Sequence, residues 1–170
     1  MDNQPVTNIQ IHTGYRPGAI WRVVELHSRY YHAHWQFGAF FESKVAHGLA
    51  EFMSRYDKTR DCFWVVVVDD QVEGALVIDG AGAKEEGARL RWFILSDVVR
   101  GQGVGNRLMH AAVEFCREHN YPRIHLSTFE GLSAARHLYE KFGFVLVEQQ
   151  RGAQWGVEVD EQRFELRLDA

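Results

Sequence analysis

The sequence predicts an α+β domain in which helices cover both faces of one mixed sheet. Apolar runs of strand length alternate along the chain with segments whose apolar residues recur at helical spacing. An apolar run ending at Leu95 leads into alternating glycines and then directly into a helical pattern. No repeat, low-complexity tract or linker interrupts the 170 residues, a length that suffices for one sizeable core. We therefore predict a single domain over residues 1–170.

The elements follow in the order βααβββαβαββ. Each predicted strand is a short run of apolar or alternating residues, and each predicted helix carries apolar residues at spacings of three and four. The predicted strands are Val6–His12, Phe63–Val68, Val72–Ile78, Ala88–Leu95, Arg123–Phe129, Phe144–Gln150 and Arg163–Leu168. The predicted helices are Ala19–Trp35, 39–55, Val104–Asn120 and Ser133–Phe142.

Polar residues and glycines predict the connections. Asp69, Asp70 and Gln71 form a hairpin turn, and residues 81–86 form a loop. Gly143 is expected to stop the last helix in the left-handed conformation.

The composition is that of an ordinary soluble protein: 46% hydrophobic, 25% charged, with a net charge of −4. Lys and Arg do not cluster, so we expect no nucleic-acid partner. The chain has no apolar stretch of bilayer length and a polar N-terminus, which predict no membrane association and a cytoplasmic location. Cys62 and Cys116 form no framework, and we expect reduced thiols. The nine histidines lack metal-binding spacing, since His32 and His34 point to different faces of a helix, and we expect no metal.

The segment Arg100-Gly-Gln-Gly-Val-Gly105 predicts an anion site. Glycines at 101, 103 and 105 let a ligand approach the backbone, and a helix starting near Val104 offers free N–H groups and the positive end of its dipole. Arg100 adds a charge at the edge. The Rossmann fingerprint fails because its third glycine position is Asn106, and the chain has no Walker Gly-Lys-Ser or Gly-Lys-Thr.

Two motifs at this spacing resemble the GCN5-related N-acetyltransferase (GNAT) family. They are Arg100-Gly-Gln-Gly-Val-Gly105 and, after a helix and a strand, Ala135-Arg-His-Leu-Tyr-Glu-Lys-Phe-Gly-Phe144. The resemblance covers nearly the whole chain. Short stretches of sequence, such as residues 92–95 and 154–156, are similar to those of bacterial acetyltransferases that are often fused to MarR-type regulators. By this resemblance, the chain would be the enzyme half alone.

The resemblance implies a mostly antiparallel sheet of six to seven strands, splayed between 88–95 and 123–129, with about four helices. It also implies acetyl-CoA as co-substrate, with its pyrophosphate on the backbone of residues 101–105, Gln102 and Val104 included. The pantetheine arm would pair with Phe93, Ile94 and Leu95, and a bulge near Ile94 would aim an N–H at the thioester carbonyl. Many relatives place an asparagine at the position of Leu132; Ser133 could replace that contact or cap the helix.

Tyr139 matches the tyrosine with which the family protonates the departing thiolate. A thiol titrates near about 8.5 and a phenol near about 10, so this transfer is nearly balanced. The alternative is a purely structural Tyr139, packed with its apolar neighbours on the helix.

The acceptor side is defined least well by the sequence. An alkylamine with a pKa near about 10.4 needs a base, for which Glu130 is the first candidate and Glu25, Glu51 and His34 are rivals. The aromatic residues expected to line the acceptor pocket are Tyr31, Trp35, Phe37 and Trp155. The predicted function is acetyl transfer to a primary amine by direct attack in a ternary complex, in a possible homodimer. The alternative is an acyl-CoA sensor without turnover.

Overall fold

The computed structural model describes residues 8–168, and this part of the chain forms seven strands and five helices around one sheet. The strands are β1 (Ile9–Thr13), β2 (Cys62–Val68), β3 (Gln71–Asp79), β4 (Ala88–Leu95), β5 (Arg123–Phe129), β6 (Val145–Gly152) and β7 (Val159–Arg167). The helices are α1 (Ala19–Trp35), α2 (Ala39–Ser54), α3 (Ala83–Glu86), α4 (Val104–Glu118) and α5 (Ser133–Lys141). No helix among these residues has the length and apolar character needed to traverse a bilayer.

Most predicted elements are confirmed within one or two residues, and two differ. The segment 81–86 holds the short helix α3, in which the N–H of Glu86 donates to the carbonyl of Gly82 at 3.0 Å. β7 begins four residues earlier than its apolar pattern indicated, because its polar first half pairs on both sides: Glu161 lies opposite Phe129 and Gln150. Residues 6 and 7 of the predicted first strand lie outside the described range.

The predicted turns are present. Asp69 and Asp70 have φ values of 48° and 62°, as a two-residue turn between twisted antiparallel strands requires. Gly143 follows α5 with a φ of 94°.

The sheet has the order β1-β2-β3-β4-β5-β7-β6, and only β4 and β5 run parallel. These two strands pair only through Ala88 with Ile124 and Arg89 with His125, and they diverge beyond Arg89. The predicted splay is therefore confirmed.

A bulge in β4 accompanies the divergence. Ile94 pairs with Ala75 and Arg91 with Val77, so two residues of β4 oppose one of β3. Trp92, within this bulge, has a φ of 47°. The bulge therefore lies one to two residues before Ile94.

Separate apolar layers cover the two faces of the sheet. α4 contributes a fully buried stripe, which includes Leu108, Ala112 and Cys116, to the layer on one face. α1 and α2 pack on the opposite face through residues such as Val23 and Leu49. The sandwich fixes the two diverging strands between helices, and the gap between them becomes a cleft.

Candidate active site

The cleft opens where β4 and β5 separate and has a volume of about 860 Å³. That volume lies in the range of small-molecule sites, roughly 300–1,000 Å³. Its walls come from α1, α2, α5, the diverging strands, the glycine loop and Gln154–Trp155.

The glycine loop presents unused backbone donors. Gly101 and Gly103 have φ values of 74° and 77°, and an added Cβ at either would meet no atom within 4 Å. Among residues 8–168, the amides of Gly101, Gly103, Val104 and Gly105 have no hydrogen-bond acceptor. Since α4 begins at Val104, its dipole adds positive potential at the same place. Such a loop suits a phosphate or pyrophosphate.

Ser96, which sequence reasoning missed, holds this loop in shape. Its N–H donates to the carbonyl of Glu73 at 2.8 Å, which ties the end of β4 to the neighbouring strand. Its own carbonyl accepts from the N–H groups of Val99 and Arg100, each at 3.2 Å. Ser96 thus sets the turn that exposes the glycine amides.

Two cations flank the loop. The guanidinium of Arg100 lies 4.6 Å from the centre of the Tyr30 ring and pairs with Asp97 at 2.9 Å. Lys141 donates to the side-chain oxygen of Asn106 at 2.6 Å, which links α5 to the start of α4. Arg100, Asn106 and Lys141 all line the cleft. The side-chain amide of Gln102 donates to the carbonyl of Val98 at 2.9 Å.

The edge of β4 offers main-chain groups to the gap. A Cβ on Gly74 would lie 2.9 Å from the carbonyl oxygen of Ile94, so the peptide groups of Ile94 face β3. Because these groups alternate along a strand, the N–H and carbonyl of Leu95 face the cleft. Phe93 lies at the bulge and also lines the cleft.

Tyr139 lies in the wall formed by α5. Its side chain packs against Phe144 and Phe164 and is only 7% exposed. The Tyr139 hydroxyl has no hydrogen-bond partner among residues 8–168. Because every fully buried side-chain oxygen or nitrogen in this range has a partner, the hydroxyl must be accessible to solvent, and it opens into the cleft. Burial raises the pKa of Tyr139 above its ordinary value. The phenol therefore stays protonated at neutral pH. Transfer of its proton to a thiolate is less nearly balanced than the ordinary pKa values of a phenol and a thiol suggest.

Ser133 is the first residue of α5 and lines the cleft, whereas Leu132 occupies the N-cap position. No side chain caps this helix, so a capping role for Ser133 is wrong.

The structure brings only some of the predicted acceptor residues to the cleft. Tyr31 and Trp155 line it. Phe37 is 1% exposed and packs beneath Tyr31, with ring centres 5.7 Å apart. Trp35 packs edge-on against Phe129 and lies over Gly131. Phe37 and Trp35 therefore support the wall from behind.

The candidate bases are not brought to the cleft either. Glu130 is exposed and borders a smaller pocket that adjoins the cleft at Ser133. Glu25 pairs with two arginines of its own helix, and Glu51 pairs with Arg55 at the C-terminal end of α2. His34 is exposed and contacts the Tyr30 ring. Within residues 8–168 no carboxylate lines the cleft.

Basic residues that sequence reasoning missed do line it. Lys44 on α2 and Arg89 and Arg91 on β4 lie at the end of the cleft away from the glycine loop. The alternation of Arg89 and Arg91 with the buried Ala88 and Leu90 was a signal in the sequence. Which partner the arginines meet depends on how α2 crosses the sheet, and the sequence does not specify that crossing.

His27 is a second missed residue. Its Nδ1 lies 2.7 Å from the carbonyl oxygen of Val23, so Nδ1 carries the proton and Nε2 holds a lone pair. Burial lowers the pKa of His27 to about 4. His27 is thus a neutral imidazole on the cleft wall.

The two cysteines are buried and free. Burial raises the pKa of both Cys62 and Cys116 to about 12, so both stay protonated at neutral pH. In the described part of the chain, His, Cys, Asp and Glu form no group able to hold a metal ion.

Comparison with known proteins agrees with this geometry. Residues 20–144 match the model of the acetyltransferase (GNAT) family. The chain belongs to this family. Human N-acetylaspartate synthetase is 32% identical over 117 residues, which are 68% of this chain but 38% of that protein. The uncharacterized N-acetyltransferase YjgM of Escherichia coli is 29% identical over 105 residues, 61% of this chain and 63% of that protein. The chain thus spans about two fifths of the length of the first of these relatives.

Solved structures confirm the GNAT fold. A putative GNAT acetyltransferase from Desulfovibrio desulfuricans superposes with a TM-score of 0.74 at 16% identity and covers 95% of this chain and all of that one. Salmonella typhimurium yncA, a putative acetyltransferase solved with acetyl-CoA, has a TM-score of 0.72 at 15% identity and covers 95% and 94%. The family resemblance is confirmed, whereas the likeness to domains fused to MarR-type regulators stays a prediction.

Proposed function

We propose that this GNAT domain transfers the acetyl group of acetyl-CoA to a primary amine of a small molecule or peptide, by direct attack in a ternary complex. One observation carries the proposal. The unused amides of the glycine loop, the free edge of β4 and the hydroxyl of Tyr139 all open into one cleft.

The residues fit the parts of acetyl-CoA. The amides of residues 101–105 and the charge of Arg100 suit the diphosphate. Leu95 can pair with the amide groups of the pantetheine arm, as an added strand would, and Phe93 and Ile94 border its path. Ser133 lies where its hydroxyl can take over a contact with that arm. Acetyl-CoA supplies the activated acetyl group.

Tyr139 provides the proton for the leaving group. A new bond forms between the amine nitrogen and the acetyl carbon, the carbon–sulfur bond breaks, and the thiolate takes the phenolic proton. The acylated nitrogen loses one proton to become the amide, and this proton restores the Tyr139 phenol through water. Neither Cys62 nor Cys116 takes part, because both thiols are buried with raised pKa values.

The electrostatics of the cleft favour loss of the amine's own proton. Nearby positive charges disfavour an ammonium ion and lower its pKa. Lys44, Arg89 and Arg91 supply such charges, and water can accept the proton. Glu130 is left out of this scheme since it lies outside the cleft lining.

The sensor alternative has no support among the relatives, whose names describe acetyltransferases or a synthetase. Homodimer formation and a cytoplasmic location stay predictions. The test incubates the protein with acetyl-CoA and a panel of amines, and follows both free thiol and product mass. Amine-dependent thiol release with an acetylated product supports the proposal. Binding of acetyl-CoA without turnover of any amine would favour the sensor.

A further inference from the structure

We infer that the acceptor end of the cleft binds an anion, so that the acetylated amine carries a carboxylate. This inference rests on the proposed acetyl transfer and names the class of its acceptor. It comes from the charges of the cleft lining.

The described lining contains cations and no carboxylate. The cationic residues are Lys44, Arg89, Arg91, Arg100 and Lys141. Arg100 and Lys141 lie near the glycine loop, where a diphosphate uses them. Lys44, Arg89 and Arg91 lie at the other end, where a donor phosphate cannot neutralise them. They form what we call the acceptor-end triad.

Strand register and helix packing bring the triad together. Arg89 and Arg91 alternate with Ala88 and Leu90, which face α4, so both arginines face α2. α2 approaches closely through Gly48, where an added Cβ would lie 3.4 Å from an Nη atom of Arg91. Lys44 lies one turn before Gly48, and its Nζ donates to the carbonyl of Gln154 at 2.6 Å. Partial burial lowers the pKa of Lys44, Glu161 opposes this effect, and the charge of Arg89 adds to it.

The carboxylates on this side of the sheet already have partners. Asp79 accepts from Arg55 at 2.7 Å and from Arg91 at 3.3 Å. Glu165 pairs with Arg163 at 3.0 Å. Glu161 accepts a hydrogen bond from the N–H of Gln154 at 2.9 Å. It is also the carboxylate whose charge acts on the pKa of Lys44.

Arg89 is the member of the triad with neither an ion pair nor a hydrogen bond. Within residues 8–168 it has no carboxylate within salt-bridge distance and no hydrogen bond, while Arg163 and His125 lie on the same face of the sheet. Loss of solvation lowers the pKa of Arg89, with Asp79 opposing that effect from a distance. Arg89 is exposed on the cleft wall, so its planar guanidinium is open to a ligand, and a bidentate carboxylate fits it best. A carboxylate-bearing acceptor would complete this site.

The test uses α-, β- and γ-amino acids, each beside its own carboxamide, with thiol release as the assay. A charge-assisted hydrogen bond contributes enough for a roughly 10- to 100-fold effect. For at least one of the three spacings between amine and carboxylate, the kcat/KM of the wild type should be higher for the acid than for its carboxamide by about that factor. Arg89→Gln should lose at least about 10-fold more kcat/KM on acids than on their amides, and should keep the KM for acetyl-CoA. Arg117→Gln, at the distant end of α4, is the matched control and should match the wild type.

A binding readout separates this inference from the proposed function. The N-acetylated product of each pair is titrated into the protein saturated with CoA, and tryptophan fluorescence is followed, since Trp92 and Trp155 line the cleft. Products with a carboxylate should bind about 10-fold more tightly than their amides, and Arg89→Gln should remove that difference.

The outcomes are distinct. No heat on titration with acetyl-CoA would refute the proposed function itself. Equal use or equal binding of acids and amides, unchanged in Arg89→Gln, would overturn the carboxylate site while acetyl transfer stands.

Discussion

Replacing Gly103 by alanine separates the binding role of the glycine loop from its folding role. Gly103 has a φ of 77° and open space around its missing Cβ. A residue with a side chain in this left-handed conformation costs about 1–2 kcal/mol, which lowers the Tm of a protein of this size by roughly 2–8 °C. The methyl group would also project beside the unused amides, and relaxation of φ would turn them away. Loss of one charge-assisted contact to a phosphate should weaken acetyl-CoA binding by about 10- to 100-fold.

Gly82→Ala is the matched control. Gly82 has a φ of 71°, lies before the first residue of a helix and likewise has no atom within 4 Å of its missing Cβ, but it lies outside the cleft lining. Thermal unfolding should show a similar loss of stability in both variants, and calorimetric titration should show weaker binding only in Gly103→Ala. Wild-type affinity in a folded Gly103→Ala protein would refute the reasoning, as would equal weakening in both variants.

Three further predictions concern the proton donor, the thiols and the acid stability. Tyr139→Phe should lower kcat by about 100-fold with little change in acetyl-CoA affinity, and unchanged turnover would remove Tyr139 from the mechanism. Cys62→Ala with Cys116→Ala should keep the rate per folded molecule, since both thiols are protonated at neutral pH, whereas loss of activity in the folded protein would indicate an acyl-enzyme. Burial opposes ionisation of Asp79, but hydrogen bonds from Arg55 lower its pKa overall. Its contribution to stability is therefore full above about pH 4 and is lost as the pH falls through the folded pKa, so Asp79→Asn should flatten the acid limb of unfolding free energy against pH.

The sequence predicts those parts of the fold and site that depend on local pattern. The glycine loop, the boundaries of β4 and β5 and the start of α5 come from contiguous residues whose backbone preferences act locally. The splay and the place of Tyr139 in the cleft follow from the family resemblance.

The acceptor side could not be predicted in the same way, because it depends on contacts between distant elements. Glu130 follows β5 directly, yet it borders the smaller adjoining pocket and does not line the cleft itself. Phe37 is aromatic and close in sequence to Tyr31, yet it is buried beneath that ring. Asp79 lies opposite Arg89 on β3 but pairs with Arg55 and Arg91, and this choice of partners depends on how β3, β4 and α2 pack.

The central claim is that main-chain amides at residues 101–105 bind the diphosphate of acetyl-CoA. The most direct measurement compares two calorimetric titrations of the wild type, one with acetyl-CoA and one with S-acetylpantetheine, which lacks the diphosphate. Two or more charge-assisted contacts predict binding of acetyl-CoA that is at least about 100-fold tighter. Equal affinity for the two ligands, or no heat with acetyl-CoA, would contradict the account.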